Sequence, residues 1–119
     1  MSDINMGELE KRFAEIIWDH EPVSSTELVR LAGEAFDWKK STTYTVLRRL
    51  CEKGIFRNAD GAVTSLISRD RYASMQSTQF VEESFGGSLP SFLAAFSSGR
   101  KLSADEISEL RRLIDEQED

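Results

Sequence analysis

Three short amphipathic helices, a β-hairpin marked by an Asp-Gly turn and a long apolar helical tail predict a mainly α chain with a small β-hairpin wing. The pattern is that of a winged helix-turn-helix domain over residues 1–68, followed by a separate helical region over residues 69–119. Two observations carry the first part. The apolar period is helical as far as Leu50 and turns into a β-branched run after Gly54, and the third helix is polar and basic on one side only. A third observation carries the second part: about fifty residues with many apolar side chains have little of their own to close on.

Leu9, Phe13, Ile16 and Ile17 set a first helix that ends near Asp19, with Trp18 close to its seam. Val23, Ser24, Glu27 and Leu28 then have the spacing of a capping box with a hydrophobic staple, in which Ser24 caps the Glu27 N–H, Glu27 reaches back and Val23 packs on Leu28. A second helix runs from there through Leu28, Leu31, Ala32 and Ala35. The third lies within Trp38 to Arg57, WKKSTTYTVLRRLCEKGIFR, capped by Ser41 and stopped at Gly54, a natural left-handed position. Thr43, Val46, Leu47 and Leu50 form its buried stripe. Ile55 and Phe56 lead into Asn58-Ala59-Asp60-Gly61 and then Ala62 to Ile67, which read as two strands around a tight turn.

Lys39, Lys40, Ser41, Thr42, Tyr44, Thr45, Arg48 and Arg49 point outward or sit at the start of the third helix. Hydroxyls and Arg forks on such a face can reach base edges in a DNA groove, while Lys, Arg and N-terminal N–H groups hold phosphates. The whole chain carries 15 Lys+Arg against 21 Asp+Glu, a net charge of −6, yet Trp38 to Arg57 holds Lys39, Lys40, Arg48, Arg49, Lys53 and Arg57 against Glu52 alone. A polyanion meets that local field; the acidic surplus lies elsewhere, notably in the closing IDEQED. Two plainer readings stand beside this one: an ordinary solvated helix face, and a winged helix used for protein contacts.

In the tail, Tyr72, Met75, Phe80, Val81 and Phe85 mark a fourth helix, and Leu89, Phe92, Leu93 and Phe96 a fifth behind Pro90. Ile107, Leu110, Leu113 and Ile114 mark a sixth, opened by a second staple and capping box at Leu102, Ser103, Glu106 and Ile107. Three thin helices bury little alone, so Tyr72, Met75, Phe85, Leu89, Phe92, Leu93, Phe96, Ile107, Leu110 and Ile114 are expected to form a homodimer seam; folding back on the winged helix is the alternative. A dimer would present two recognition helices to a palindromic double-stranded DNA operator.

Composition limits the other classes. No apolar run approaches the roughly 18 residues of a membrane span, and MSDINMGELEKR has no signal pattern, so a cytoplasmic chain without a membrane partner is expected. Cys51 is the single cysteine and His20 the single histidine, which excludes an intrachain disulfide and a Cys/His metal cluster. The pairs Glu82-Glu83 and Asp105-Glu106 are adjacent rather than convergent and no nucleophile–base pair is visible, so neither an enzyme nor a cofactor is expected.

GELEKRFAEIIWD, PVSSTELVRLAGEAFDWKKSTTYTVLRRLCEKG, the double glycine Gly86-Gly87 and the closing KLSADEISELRRLI together resemble the BlaI/MecI family of penicillinase and methicillin-resistance repressors over nearly the whole chain. The resemblance implies a dimeric repressor that reads an operator through Thr42, Tyr44 and Thr45, with Lys39, Lys40, Ser41, Arg48 and Arg49 on phosphates or nearby base edges. The wing departs from the family, running Gly61-Ala62-Val63-Thr64-Ser65, so that Arg57 and Thr64 are its candidates for a phosphate and Asp60 would repel one. The resemblance also implies release by a sensor-linked protease cutting an Asn-Phe bond, which falls here at Ala95-Phe96 with Ala95 in place of the asparagine. Control of an unrelated operon without proteolytic induction is the alternative. A copper-responsive repressor would carry a Cys-rich clip near its end, where this sequence has IDEQED.

Overall fold

The computed structural model describes residues 4–118; Met1 to Asp3 of the polar N-terminal stretch and the closing Asp119 lie outside the described residues. The order of elements is α1 (Glu8–His20), β1 (Val23–Ser24), α2 (Ser25–Phe36), α3 (Lys40–Glu52), β2 (Phe56–Ala59), β3 (Ala62–Ser65), α4 (Arg69–Phe85), α5 (Leu89–Gly99) and α6 (Ala104–Glu116). The three strands form one antiparallel sheet in the order β1-β3-β2. The chain divides into two compact units, one up to Gln76 and one from Ser77 on, with the division inside α4.

In the first unit, Phe13, Ile17, Leu28, Leu47, Leu50, Ile55, Phe56 and Val63 are buried together, so α1, α2, α3 and the sheet share one core. The two-residue turn at Asp60 and Gly61 has positive φ at both positions, 53° and 86°, the geometry a tight hairpin between right-twisted strands requires. It pairs Ala59 with Ala62 and Arg57 with Thr64. Gly54, at φ 80°, ends α3: its N–H donates to Cys51 O at 3.0 Å and the Ile55 N–H to Leu50 O at 3.2 Å, while the Leu50 and Ile55 side chains are both fully buried. These are the two bonds and the apolar contact of a Schellman stop.

Several local expectations change once tertiary partners are present. Val23 and Ser24 form a third strand, with Val23 opposite Val63. A two-residue strand is too short to announce itself by alternation, and it takes its backbone partners from the far edge of β3. Ser24 caps α2 by accepting the Glu27 N–H at 3.0 Å, but Glu27 turns to Arg30 at 2.5 Å instead of completing the box. Ser41 does not cap α3: Lys39 holds the N-cap position with no side-chain bond, and Ser41 lies in the first turn. Leu9 is 51% exposed and Ala35 is exposed, outside the stripes assigned to them. Trp18 is buried, its Nε1 donating to Ile67 O at 3.0 Å and its ring 5.3 Å from Phe56.

Tyr72 is corrected most sharply. Expected on a dimer seam, it is 4% exposed in the core of the first unit, 5.8 Å from Trp18, with its hydroxyl donating to Ile4 O at 2.9 Å. Its spacing in α4 matches the apolar tail, but an aromatic partner on α1 captures it. Met75 also belongs to the first unit and is half-buried.

The second unit is built differently. Phe80, Phe85, Phe92 and Phe96 form a chain of ring contacts between 5.5 and 6.1 Å. Ser88 caps α5, and Ser103 with Glu106 makes the full reciprocal box at α6, at 3.1 and 2.9 Å. Arg100 beside Glu106, together with the Ser103 N–H, holds that carboxyl down at about 2. No residue of α5 or α6 is buried.

Candidate nucleic-acid interface

The buried stripe of α3 fixes which residues can meet a ligand. Thr43, Val46, Leu47 and Leu50 are buried. At 3.6 residues per turn the opposite ridge is then Ser41, Thr45, Arg48 and Glu52, all exposed. Thr42 and Arg49 flank that ridge on one side, lining a shallow cleft with Ser41, Thr45 and Val46. Tyr44 lies on the other, in a cleft with Leu47, Arg48, Cys51 and Asn58 beside the hairpin.

Tyr44 is not the free outward aromatic the sequence suggests. It is half-buried, and its hydroxyl donates to Ser25 Oγ at 3.3 Å, while the Ser25 N–H donates to Gly61 O at 2.8 Å. Tyr44 therefore links α3 to the start of α2, the Ser25 backbone links α2 to the hairpin turn, and Tyr44 also lines the cleft. Thr45 donates its hydroxyl to Ser41 O at 2.9 Å, which fixes its rotamer and leaves its oxygen able to accept.

Charge on this face is held in reserve. Among the described residues Lys39, Lys40, Arg48, Arg49 and Arg57 take part in no ion pair, as is also true of Arg12, Arg71, Lys101 and Arg111 elsewhere, whereas Lys11, Arg30, Lys53, Arg69, Arg100 and Arg112 are each paired with a carboxylate. Lys53, counted with the basic face in the sequence, is withdrawn from it: it reaches Glu10 at 3.2 Å and also donates to the Asn5 carbonyl. Partial burial pushes the Glu10 carboxyl up, but the Gly7 N–H and the Lys53 ammonium outweigh it and hold it below the usual carboxylate range. This pair, with the Gln76 amide donating to Asn5 Oδ1 at 3.0 Å, ties the end of α3 to the N-terminal segment and to α4. The start of α3 is the reverse case. No side chain caps it, so its first N–H groups and the positive end of its dipole face outward between Lys39 and Lys40.

On the wing, Arg57 and Thr64 are direct cross-strand partners and so share one face of the hairpin. Asn58 spends its side-chain oxygen on the Gly61 N–H at 3.1 Å, and Asp60 occupies the exposed tip. Burial raises the Cys51 thiol above its ordinary range, which makes it a poor nucleophile and metal ligand at neutral pH. No group of three His, Cys, Asp or Glu able to hold a metal occurs among the described residues. No helix there is long and apolar enough to cross a membrane. Glu52, read from the sequence only as the one acid within the basic run, completes the ridge; its eleven-residue offset from Ser41 is the helical signal that places it there.

The tail residues gather in the second unit. Phe92, Leu93, Phe96, Leu102 and Leu110 line a groove of about 420 Å³ rimmed by Asp105, Glu106 and Glu109. Phe85 is half-buried, while Leu89, Phe96, Ile107 and Ile114 remain exposed, Leu89 at 62% and Phe96 at 42%. Ala95 and Phe96 lie within α5, in its last turns; Arg100 stacks over the Phe96 ring at 5.2 Å.

Comparison with known proteins places this architecture. Residues 6–116 match the family model of the penicillinase repressor. The chain is 27% identical over 115 residues to the penicillinase repressor of Bacillus licheniformis, covering 93% of this chain and 90% of that one. It is 29% identical over 109 residues to the methicillin resistance regulatory protein MecI of Staphylococcus aureus, covering 88% and 89%. A MecI protein of Mammaliicoccus sciuri is also 29% identical, over 103 residues. With the matched span reaching across most of both compact units, the chain belongs to the penicillinase repressor family.

Proposed function

We propose that this chain is a cytoplasmic transcriptional repressor that binds a palindromic double-stranded DNA operator as a homodimer, with the start of α3 in the major groove. The observations that carry the reading are a start of α3 with no side-chain cap, flanked by Lys39 and Lys40, and the cations Arg48 and Arg49 further along α3 and Arg57 on the hairpin, none of them in an ion pair. Lys39, Lys40, Arg49 and Arg57 hold phosphates, Ser41, Thr42, Thr45 and Arg48 face base edges, and Tyr44 mainly positions the helix. Thr64 adds at most one backbone contact from the wing. Repression is steric and needs no chemistry from the protein.

The exposed apolar residues of α5 and α6 support a dimer closed through the second unit. Release by a sensor-linked protease at Ala95-Phe96 fits the same arrangement. A cut there separates the end of α5 and all of α6 from the rest of the chain, removes Phe96, Leu102 and Leu110 from the apolar groove and uncouples the two recognition helices. Mapping fragments by mass spectrometry after exposing producing cells to a β-lactam tests that step; an intact chain with full derepression excludes it. The DNA-binding reading itself is tested by selecting duplexes from a genomic library at low salt. Recovery of one palindrome is expected, and recovery of no preferred sequence would overturn it.

A further inference from the structure

Glu52 closes the outer ridge of α3, following Ser41, Thr45 and Arg48 at helical intervals, and it is the one acidic residue between Trp38 and Arg57. It stands four residues after Arg48, a spacing at which helix surfaces form ion pairs. Elsewhere in this chain the same order does pair: Arg30 with Glu34 at 3.0 Å, Arg112 with Glu116 at 2.6 Å, Lys11 with Glu15 at 3.5 Å. Arg48 and Glu52 form no such pair, although both are exposed. The ridge therefore presents a cation and a carboxylate one turn apart, both uncommitted, on the surface that faces the ligand.

We propose that Glu52 is a specificity-determining residue of this interface, making a guanine contact by Arg48 the condition for tight binding. The inference rests on the reading of α3 as a major-groove helix. A guanidinium carries five N–H donors in a fixed fork. Two suffice for O6 and N7 of a guanine, and the remaining ones can face back along the helix to a carboxylate about 6 Å further along the axis. Engaged in this way, one cation serves both the base and Glu52. Where the base offers no such pair of acceptors, Arg48 turns to a phosphate and Glu52 is left without a counter-charge against a polyanion. Like charges brought together in this manner suppress wrong partners more than they weaken right ones.

The test uses the full chain, a selected duplex, and the same duplex with the guanines facing Arg48 replaced. Glu52→Gln is expected to tighten binding to the altered duplex roughly tenfold and to the selected one by about twofold or less, so that discrimination narrows. On an Arg48→Ala background the same substitution should tighten both duplexes alike, because no guanidinium remains to offset the carboxylate. Equal tightening of both duplexes with Arg48 present, or no change in either, overturns the proposal: Glu52 would then act by uniform repulsion or not at all. A wild-type chain that selects no duplex contradicts the DNA-binding reading and this inference with it. Glu52 is exposed at the last turn of α3, and an unchanged melting temperature for the variant establishes that the fold is not what moved.

Discussion

Phe13 and Phe92 both sit on the apolar faces of short amphipathic helices, yet Phe13 has no exposed surface and Phe92 remains half exposed. Phe13 is enclosed because α1, α2, α3 and a three-stranded sheet converge on it. Phe92 has three other phenyl rings and one groove, and neither α5 nor α6 buries a residue. The first unit is thus closed by its own sequence, while the second leaves its apolar surface open. The same helical periodicity closes a core in one case and leaves an open apolar surface in the other, depending on how many elements share that surface.

Ending the chain after Gln76 tests this contrast most severely. The fragment should still unfold cooperatively, but sediment as a monomer, and its operator affinity should fall by about 10²–10⁴-fold because the second half-site contact is no longer intramolecular. A fragment that remains a dimer would place the interface in the winged helix. Single substitutions sharpen the comparison. Leu50→Ala, at a fully buried site, should cost about 3 kcal/mol at any protein concentration. Leu110→Ala, in the groove of the second unit, should instead give a melting temperature that depends more steeply on concentration, because what it weakens is association. Thermal melts at two concentrations a hundredfold apart separate the two behaviours.

Smaller effects are expected at the interface. Arg49→Ala should make the slope of log K against log salt shallower by about one, as a phosphate contact is lost, whereas Arg48→Ala, on a base edge, should leave the slope nearly unchanged and relax base preference. The smallest effect concerns Glu10. Its carboxyl is depressed in the folded state, so the Glu10–Lys53 contact contributes stability above the ordinary carboxylate value of 4.5 and loses it as pH falls through the depressed one. Glu10→Gln should therefore cost up to about 1 kcal/mol at pH 7 and progressively less below pH 4.5, read from denaturant titrations at several pH values.

What was legible in the sequence was local. The Asp60-Gly61 turn, the Gly54 stop and the Ser103/Glu106 box each depend on residues within a few positions of one another, and each forms as read. The buried stripe of α3 was equally plain, since it needs only the 3.6-residue period. The exceptions are residues whose fate is decided by a distant partner. β1 exists because β3 has a free edge. Tyr72 is buried because Trp18 and the Ile4 carbonyl meet it. Lys53 leaves the basic face because Glu10 lies across from it, and Tyr44 is held by Ser25. No periodicity encodes those pairings. The outer ridge of α3 was visible as a set of residue types, and the helical period carries it on to Glu52, but the place of Tyr44 to the side, held by Ser25, required the fold.

The most direct measurement of the account as a whole is an equilibrium titration of the full chain against a library-selected palindromic duplex, with stoichiometry read by sedimentation and repeated across a range of salt. Two chains per duplex are predicted, binding with a slope that reflects phosphate contacts from both α3 helices and lost when one half-site is scrambled. One chain bound per duplex, with affinity unchanged by the scrambled half-site, would contradict it.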